Sequence, residues 1–276
     1  MNPHAEHTTS PAEIWRSIWH HRRLIKQMAW REVVGRYKGS IFGLAWSFFN
    51  PLMMLAVYTF VFSVVFKARW GIEVSEGKTD FALVLFVGLI IHALFAEVLN
   101  RAPTLVLSNV NYVKKVVFPL EVLTFVSLSA ALFHAAISFL VLLVAFVVLN
   151  GLPSWTVIYT PVTLLPLLPL MLGFGWLLAS LGVYLRDIGQ LIGIANMALL
   201  FLAPVFYPLT ALPEAYQSVL YINPLTYPIE QTRAVIIFGE MPNWVGLGVY
   251  SIISVLTCWI GFWWFQRTRR GFADVL

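Results

Sequence analysis

The sequence predicts an all-α integral membrane protein: six transmembrane helices, an N-terminal amphipathic interface helix, and two short re-entrant helices before the last span. Three observations lead there. Of 276 residues, 59% are hydrophobic and 11% are charged, against roughly a quarter charged in ordinary soluble domains. Uncharged runs recur, the first of them 26 residues long at positions 41–66, where a helix needs about 20 to cross a bilayer core. The cations gather between alternate runs, as orientation in a membrane requires. That distribution also excludes a nucleic-acid reading of the net charge of +5. Cys258 is the single cysteine, so an intrachain disulfide is excluded.

Residues 1–11 are polar and read as a disordered N-terminus. Over residues 12–37, Ile14, Trp15, Ile18, Trp19, Leu24, Ile25, Met28, Ala29 and Val33 recur at helical spacing with Arg and Lys between them. This is the pattern of a basic amphipathic helix at a membrane interface. The first 40 residues lack the apolar core of a cleavable signal, so insertion is expected through the first span itself. That span, 41–66, offers a break at Asn50-Pro51, where proline removes a backbone donor.

The remaining spans are expected at 81–99, 121–149, 155–185, 188–206 and 244–265, within a transmembrane domain covering 38–276. Between them lie an outer loop at 67–80, an inner segment at 101–120, an outer turn at Asn150–Ser154 and an inner turn at Arg186-Asp187. This topology puts 14 of the 18 Lys and Arg on the side of both termini, leaving Lys67, Arg69, Lys78 and Arg233 opposite. The acids divide almost evenly, which fits a rule about cations and not about net charge. Residues 207–243 form neither a span nor a loose loop. Five prolines cut them into two short apolar pieces, around 214–222 and 225–238. Irregular backbone at membrane depth needs protein or a water-filled cavity around it, so a re-entrant pair capping the outer end is expected. An external hairpin lying flat is the alternative.

The polar residues offer little chemistry. Gly71 to Thr79 nearly spells a phosphate-binding loop, but five residues separate Gly71 from Gly77 where that loop needs four, and Glu73 and Glu76 would repel phosphate. His92 and His134 lie in different spans without partners at metal-ligand spacing, and imidazole bonded to a neighbouring helix is the simpler reading. Glu97 and Glu121, at the inner ends of two spans, are expected to pair with Arg101 and Lys115. No nucleophile stands beside a base and an orienting group. A membrane enzyme would need such a cluster outside, and an ion-driven secondary transporter would show internal repeats and mid-span charges. Gly35, Gly39 and Gly43, and Gly189 and Gly193, have the four-residue spacing of close helix contacts, within one chain or between two. Aromatics crowd the first span (Trp46, Phe48, Phe49, Tyr58, Phe60, Phe62) and close the fifth (Phe201, Phe206, Tyr207), where ring faces suit sugars or prenyl chains as well as lipid belts.

Several stretches in order carry a resemblance. They are Gly35-Arg36-Tyr37-Lys38-Gly39-Ser40 with Gly43, Trp46 and Asn50-Pro51-Leu52, then residues 57–62, and Arg101-Ala102-Pro103 with residues 109–121. Further on come Arg186-Asp187-Ile188, residues 203–208, Asn223-Pro224-Leu225 and the tail Phe272-Ala273-Asp274-Val275-Leu276. From about residue 30 onward the chain resembles the permease subunit of ABC-2 type polysaccharide exporters, which move O-antigen, teichoic acid and capsule chains. One departure is Gly88-Leu89-Ile90-Ile91-His92, where a Pro-Trp-like pair is expected, and it leaves the role of His92 open.

The resemblance implies a homodimer in the bacterial inner membrane, both termini cytoplasmic, with two copies of a separate ATP-binding subunit. ATP and Mg would be bound by that subunit, and this chain would hold no cofactor and catalyse nothing. The substrate implied is a polyprenyl-diphosphate-linked glycan. On that basis Arg36, Lys38 and Arg101 are candidates for the lipid diphosphate, and Trp46, Tyr58, Phe62, Phe206 and Tyr207 for the channel. Segment 101–120 would couple to the ATP-binding subunit through Asn111, Tyr112, Lys114, Lys115 and Glu121, and 207–243 would supply the outer gate.

Overall fold

The computed structural model describes residues 9–65, 80–114 and 118–276. Among these residues the secondary structure is helical, without strands. Most of the expected N-terminal tail, the outer loop and Lys115 fall outside them.

Helix α1 runs Pro11–Arg36. The Ser10 side chain accepts from the Ala12 amide at its start, Pro11 and Glu13 occupy its first turn, and Arg36 closes it. Each suits its end of the helix dipole or of the hydrogen-bond ladder. Ile25, Ala29 and Val33 are buried, while Trp15, Trp19 and Trp30 stand exposed. The helix lies along α5, Val122–Asn150.

Between them in sequence come α2, Trp46–Tyr58, α3, Asp80–Arg101, and the short α4, Val110–Lys114. Helix α2 does not break at Asn50-Pro51. It runs through Pro51, and the irregularity lies at its far end, where Thr59–Val65 form a π-helical turn. One missing amide near the start of a helix costs a single bond, which a bilayer environment tolerates where neighbours or side chains re-satisfy the backbone. The fourth expected span is segmented by its prolines into a 3₁₀ turn, α6 (Thr160–Leu164) and α7 (Leu167–Tyr184). Then follow α8 (Ile188–Leu202), α9 (Glu214–Leu220), α10 (Thr226–Arg233), α11 (Trp244–Thr268) and α12 (Phe272–Val275).

Five helical stretches among the described residues are long and apolar enough to cross a membrane: Gly43–Phe62, Phe81–Thr104, Val122–Asn150, Trp155–Tyr184 and Trp244–Val275. The expected span at 188–206 is represented by α8, whose 15 residues reach about 22 Å against a core of about 30 Å.

The centre of the bundle is α7 on α11. A Cβ on Gly173 would lie 2.4 Å from the Thr257 carbonyl oxygen, and one on Gly261 would lie 2.1 Å from that of Gly173. Backbone therefore meets backbone, which only glycine allows. The four-spaced glycines of the sequence do something else. Gly39 and Gly43 have φ of +88° and +50° and shape the turn between α1 and α2. Gly35, Gly189 and Gly193 face open space among the described residues. The sequence pattern thus points away from the glycines that make the intrachain contacts.

The proline-cut segment forms two short helices near the expected positions. Helix α9 is largely exposed, but α10 and the π turn after it bury Ile229, Thr232, Arg233, Val235 and Ile236, with α10 packed on α3. Its second half is therefore part of the protein interior, unlike a hairpin lying flat on the surface.

Gly261→Ala and Gly173→Val are each expected to lower stability by about 1–3 kcal/mol through overpacking, because the obstructing atoms are backbone. Thermal unfolding of the detergent-extracted protein checks this, with Gly193→Ala, in open space, expected to melt like the parent.

Candidate functional site: two charge networks and an aromatic cluster

The end of α3 carries Glu97 and Arg101 one turn apart, facing α1 on one side and α5 on the other. Arg36, the last residue of α1, donates to the Glu97 carboxylate and lies 3.1 Å from His134 Nδ1 on α5. His134 Nδ1 is also 3.2 Å from Glu97 Oε1. One turn earlier on α1, Glu32 accepts from Arg101. Burial pushes the Glu32 carboxyl above its ordinary range, while the Arg101 charge pulls it back down. So α1 is stitched to α3 by two crossed ion pairs. The expected Glu97–Arg101 pair does not form, because the amphipathic helix brings its own Arg and Glu to each of them. Of the three residues expected to meet a diphosphate, Arg36 and Arg101 share this network and are both carboxylate-bound. Lys38 stands exposed in the turn after α1 and joins neither of these ion pairs.

A second network gathers around Glu121. Its carboxylate accepts from Ser17 of α1 at 3.2 Å and from Arg269, just past α11, at 2.8 Å. Arg269 also donates to the Phe118 carbonyl, and Trp176 of α7 donates to the Glu121 carbonyl at 3.1 Å. Glu121 is 8% exposed and pairs with Arg269 at 2.8 Å; the expected partner Lys115 lies outside the described residues. Beside it Tyr112 stacks on Phe118 at 4.4 Å between ring centroids. Asn111 is exposed on α4, which ends at Lys114.

At the opposite end of α3 the aromatics converge. Phe62, carried on the π turn after α2, lies 6.5 Å from Tyr58, 5.5 Å from Phe81 and 6.3 Å from Phe206, and Phe206 stacks on Phe201 at 5.5 Å. The Tyr207 hydroxyl donates to the Phe201 carbonyl. Four of the five expected channel residues are therefore neighbours. Trp46 is not among them, since it packs on Phe42 at the other end of α2, about 18 Å along the helix axis from Tyr58.

Sequence reasoning missed the residue that holds this cluster in place. Arg233, 1% exposed, donates through Nε to the Val84 carbonyl at 2.9 Å and through its terminal nitrogens to the Pro204 and Val205 carbonyls, and it bridges to Glu230 at 3.1 Å. Three carbonyls and a carboxylate thus fix α10 to the start of α3 and to the residues just before Phe206. Gly88 makes room, because a Cβ there would lie 2.9 Å from Arg233 Nη2. A signal existed: this cation directly precedes the apolar run Ala234–Phe238, with Glu230 three residues earlier. Between the two ends, His92 Nε2 lies 3.0 Å from the Asn196 carbonyl, and Asn196 donates to Asn100 at 2.7 Å. These bonds tie α8 to α3 and match the helix-bonded reading of His92. Among the described residues no group of three metal-ligating side chains forms.

Arg233→Met leaves its carbonyl partners and Glu230 without their donor, and a loss of about 3–5 kcal/mol is expected. Arg233→Lys, a point charge without the planar fork, is expected to fall between. Unfolding midpoints of the two variants and of Gly88→Ala check the ranking. Glu121→Gln is expected to be milder than Glu121→Ala: the single amide oxygen can still accept from Arg269 without the charge, while the amide nitrogen takes the place of the oxygen that accepts from Ser17 and can donate to its hydroxyl instead.

The sequence has relatives among known proteins. The O-antigen export system permease protein RfbA of Myxococcus xanthus is 26% identical over 261 residues, covering 94% of this chain and 97% of that protein. A permease of the same name from Klebsiella pneumoniae is 24% identical over 87% of this chain and 90% of its own length. The polysialic acid transport protein KpsM of Escherichia coli is 23% identical over 87% of this chain and 91% of its own. Residues 23–237, which run from α1 through the buried π turn after α10, match the ABC-2 type transporter family, and the chain belongs to that family.

Proposed function

We propose that this chain is the transmembrane subunit of an ATP-driven exporter that moves a polyprenyl-diphosphate-linked polysaccharide, of the O-antigen kind, out of the cytoplasm. The observation that carries the reading is the match, over nearly the whole of both chains, to a permease named for O-antigen export. The sequence carries no phosphate-binding loop of the required spacing, and in this reading the energy source belongs on another subunit. Two copies of a cytoplasmic ATP-binding subunit would dock at α1, α4 and the segment around Lys114 and Lys115.

In this reading both termini and the charged end of α3 face the cytoplasm of a bacterial cell, in its inner membrane. A second copy of the chain would complete the conduit. Helix α2 with the π turn after it, and α8, leave broad apolar faces exposed, with Phe49, Met53, Phe60, Ile194, Met197 and Phe201 prominent. The lipid diphosphate would enter at Lys38 and Arg36. Arg36 would have to exchange Glu97 for phosphate, a competition that a more highly charged ligand favours. Arg101 is committed more deeply, to Glu32. Sugars would pass the ring faces of Tyr58, Phe62, Phe206 and Tyr207, with Trp46 nearer the entry side. The segment 207–243, anchored by Arg233, would be the outer gate.

Copurification with the product of the adjacent gene tests the assembly. A two-plus-two complex that hydrolyses ATP is expected, and a stable lone chain without an ATPase partner would sink the proposal. Lys114→Glu/Lys115→Glu is expected to insert normally while ATP hydrolysis and export both fall about tenfold or more. Phe62→Ala/Phe206→Ala is expected to slow export with the complex still assembled.

A further inference from the structure

A cavity of about 220 Å³ lies between α1, the end of α3 and the segment leading to α4. Its polar lining is Arg31, Glu32, Arg101, Thr104, Ser108 and Asn109, and its apolar lining includes Leu123 and Val126 of α5. Arg101 and Glu32 are joined to each other. The Thr104 hydroxyl donates to the Arg101 carbonyl, and the Asn109 amide to that of Leu105. Arg31 and Ser108 are left. Neither has an ion-pair or hydrogen-bond partner among the described residues, and both are exposed where they border the cavity.

Depth and charge then restrict the occupant. Helix α3 has 22 residues, or about 33 Å, close to the thickness of a bilayer core. Arg101, its last residue, therefore stands at the level of lipid headgroups. Glu32 cancels Arg101, so the charged lining sums to one positive charge, that of Arg31. One positive charge matches a phosphodiester, which carries one negative charge, and undercompensates a diphosphate. The free donors are a guanidinium and a hydroxyl, the groups that bind phosphate oxygens best. The volume, room for roughly seven waters, accommodates a phosphodiester with its glycerol carbons against the apolar lining.

We propose that this cavity binds the phosphodiester headgroup of a bilayer phospholipid, held by Arg31 and Ser108, as a site separate from the export path. A lipid seated there would fill the angle between α1 and the segment leading to α4. It would thereby stiffen the joint between the amphipathic helix and the region expected to dock the ATP-binding subunit. The inference does not depend on what the protein exports.

The test is native mass spectrometry of the full-length protein extracted in mild detergent and supplied with dioleoyl phosphatidylglycerol. One tightly retained lipid is expected. Retention should weaken about tenfold in Arg31→Gln, the scale of one charge-assisted hydrogen bond, weaken further in Arg31→Gln/Ser108→Ala, and be largely restored in Arg31→Lys. Because Arg31 and Ser108 are exposed, unchanged thermal midpoints are expected, and Ser108→Ala alone provides a reading should the arginine variants fold poorly. Equal retention in all variants would overturn the proposal as adventitious lipid. Selective displacement by undecaprenyl diphosphate would overturn it in favour of a substrate site, and displacement by equimolar inorganic phosphate in favour of a soluble-anion site.

Discussion

A guanidinium buried to 1% exposure organises one end of this protein. Arg233 is enclosed by apolar helices, and a buried cation is tolerable only when its donors are all engaged. Its bonds to the carbonyls of Val84, Pro204 and Val205 meet that demand. They also serve the other partners, because the backbone after α8 leaves the helical ladder and its carbonyls need donors in a place where lipid offers none. One side chain therefore answers two desolvation problems, and the geometry of α3, α8 and α10 follows from it. The aromatic cluster inherits its position: Phe206 is one residue from a clamped carbonyl.

The other end is built on reciprocity. Helix α1 contributes a glutamate and an arginine, and α3 contributes an arginine and a glutamate, so each helix neutralises the other. An amphipathic helix that merely floated at an interface would not need such pairing. Glu121 extends the principle by joining the first helix, the end of the inner segment and the last turns of the chain through Ser17 and Arg269. A displacement of any one of these elements is therefore resisted by the other two.

How much of this could be read from the sequence depended on the range of the interaction. The helices were legible, because hydropathy and proline are local: α1 was expected at 12–37 and lies at Pro11–Arg36, and the two pieces of the proline-cut segment fall where the apolar runs suggested. Pairing was not legible. Glu97 and Arg101 are four residues apart, an obvious couple on one helix, yet each finds its partner on α1, more than sixty residues away. Glycine spacing misled for the same reason. Gly173 and Gly261 touch across 88 positions, while Gly189 and Gly193, which carry the motif, face open space among the described residues. Proline chemistry alone marks Pro51 as the weak point of α2, whereas the irregularity belongs to the turn bearing Phe62.

The shortness of α8 has a consequence for the solvent and not just for the fold. A 15-residue helix falls about 8 Å short of a hydrocarbon core, and its outer-facing side chains, Leu191, Ile194 and Met197, are apolar. Hydrophobic mismatch of that size has to be absorbed. Either the bilayer dimples toward α8, or protein from another copy keeps lipid away from it. In both cases the oily barrier is at its thinnest beside this helix, so a polar chain crossing there would have the shortest distance to travel out of water.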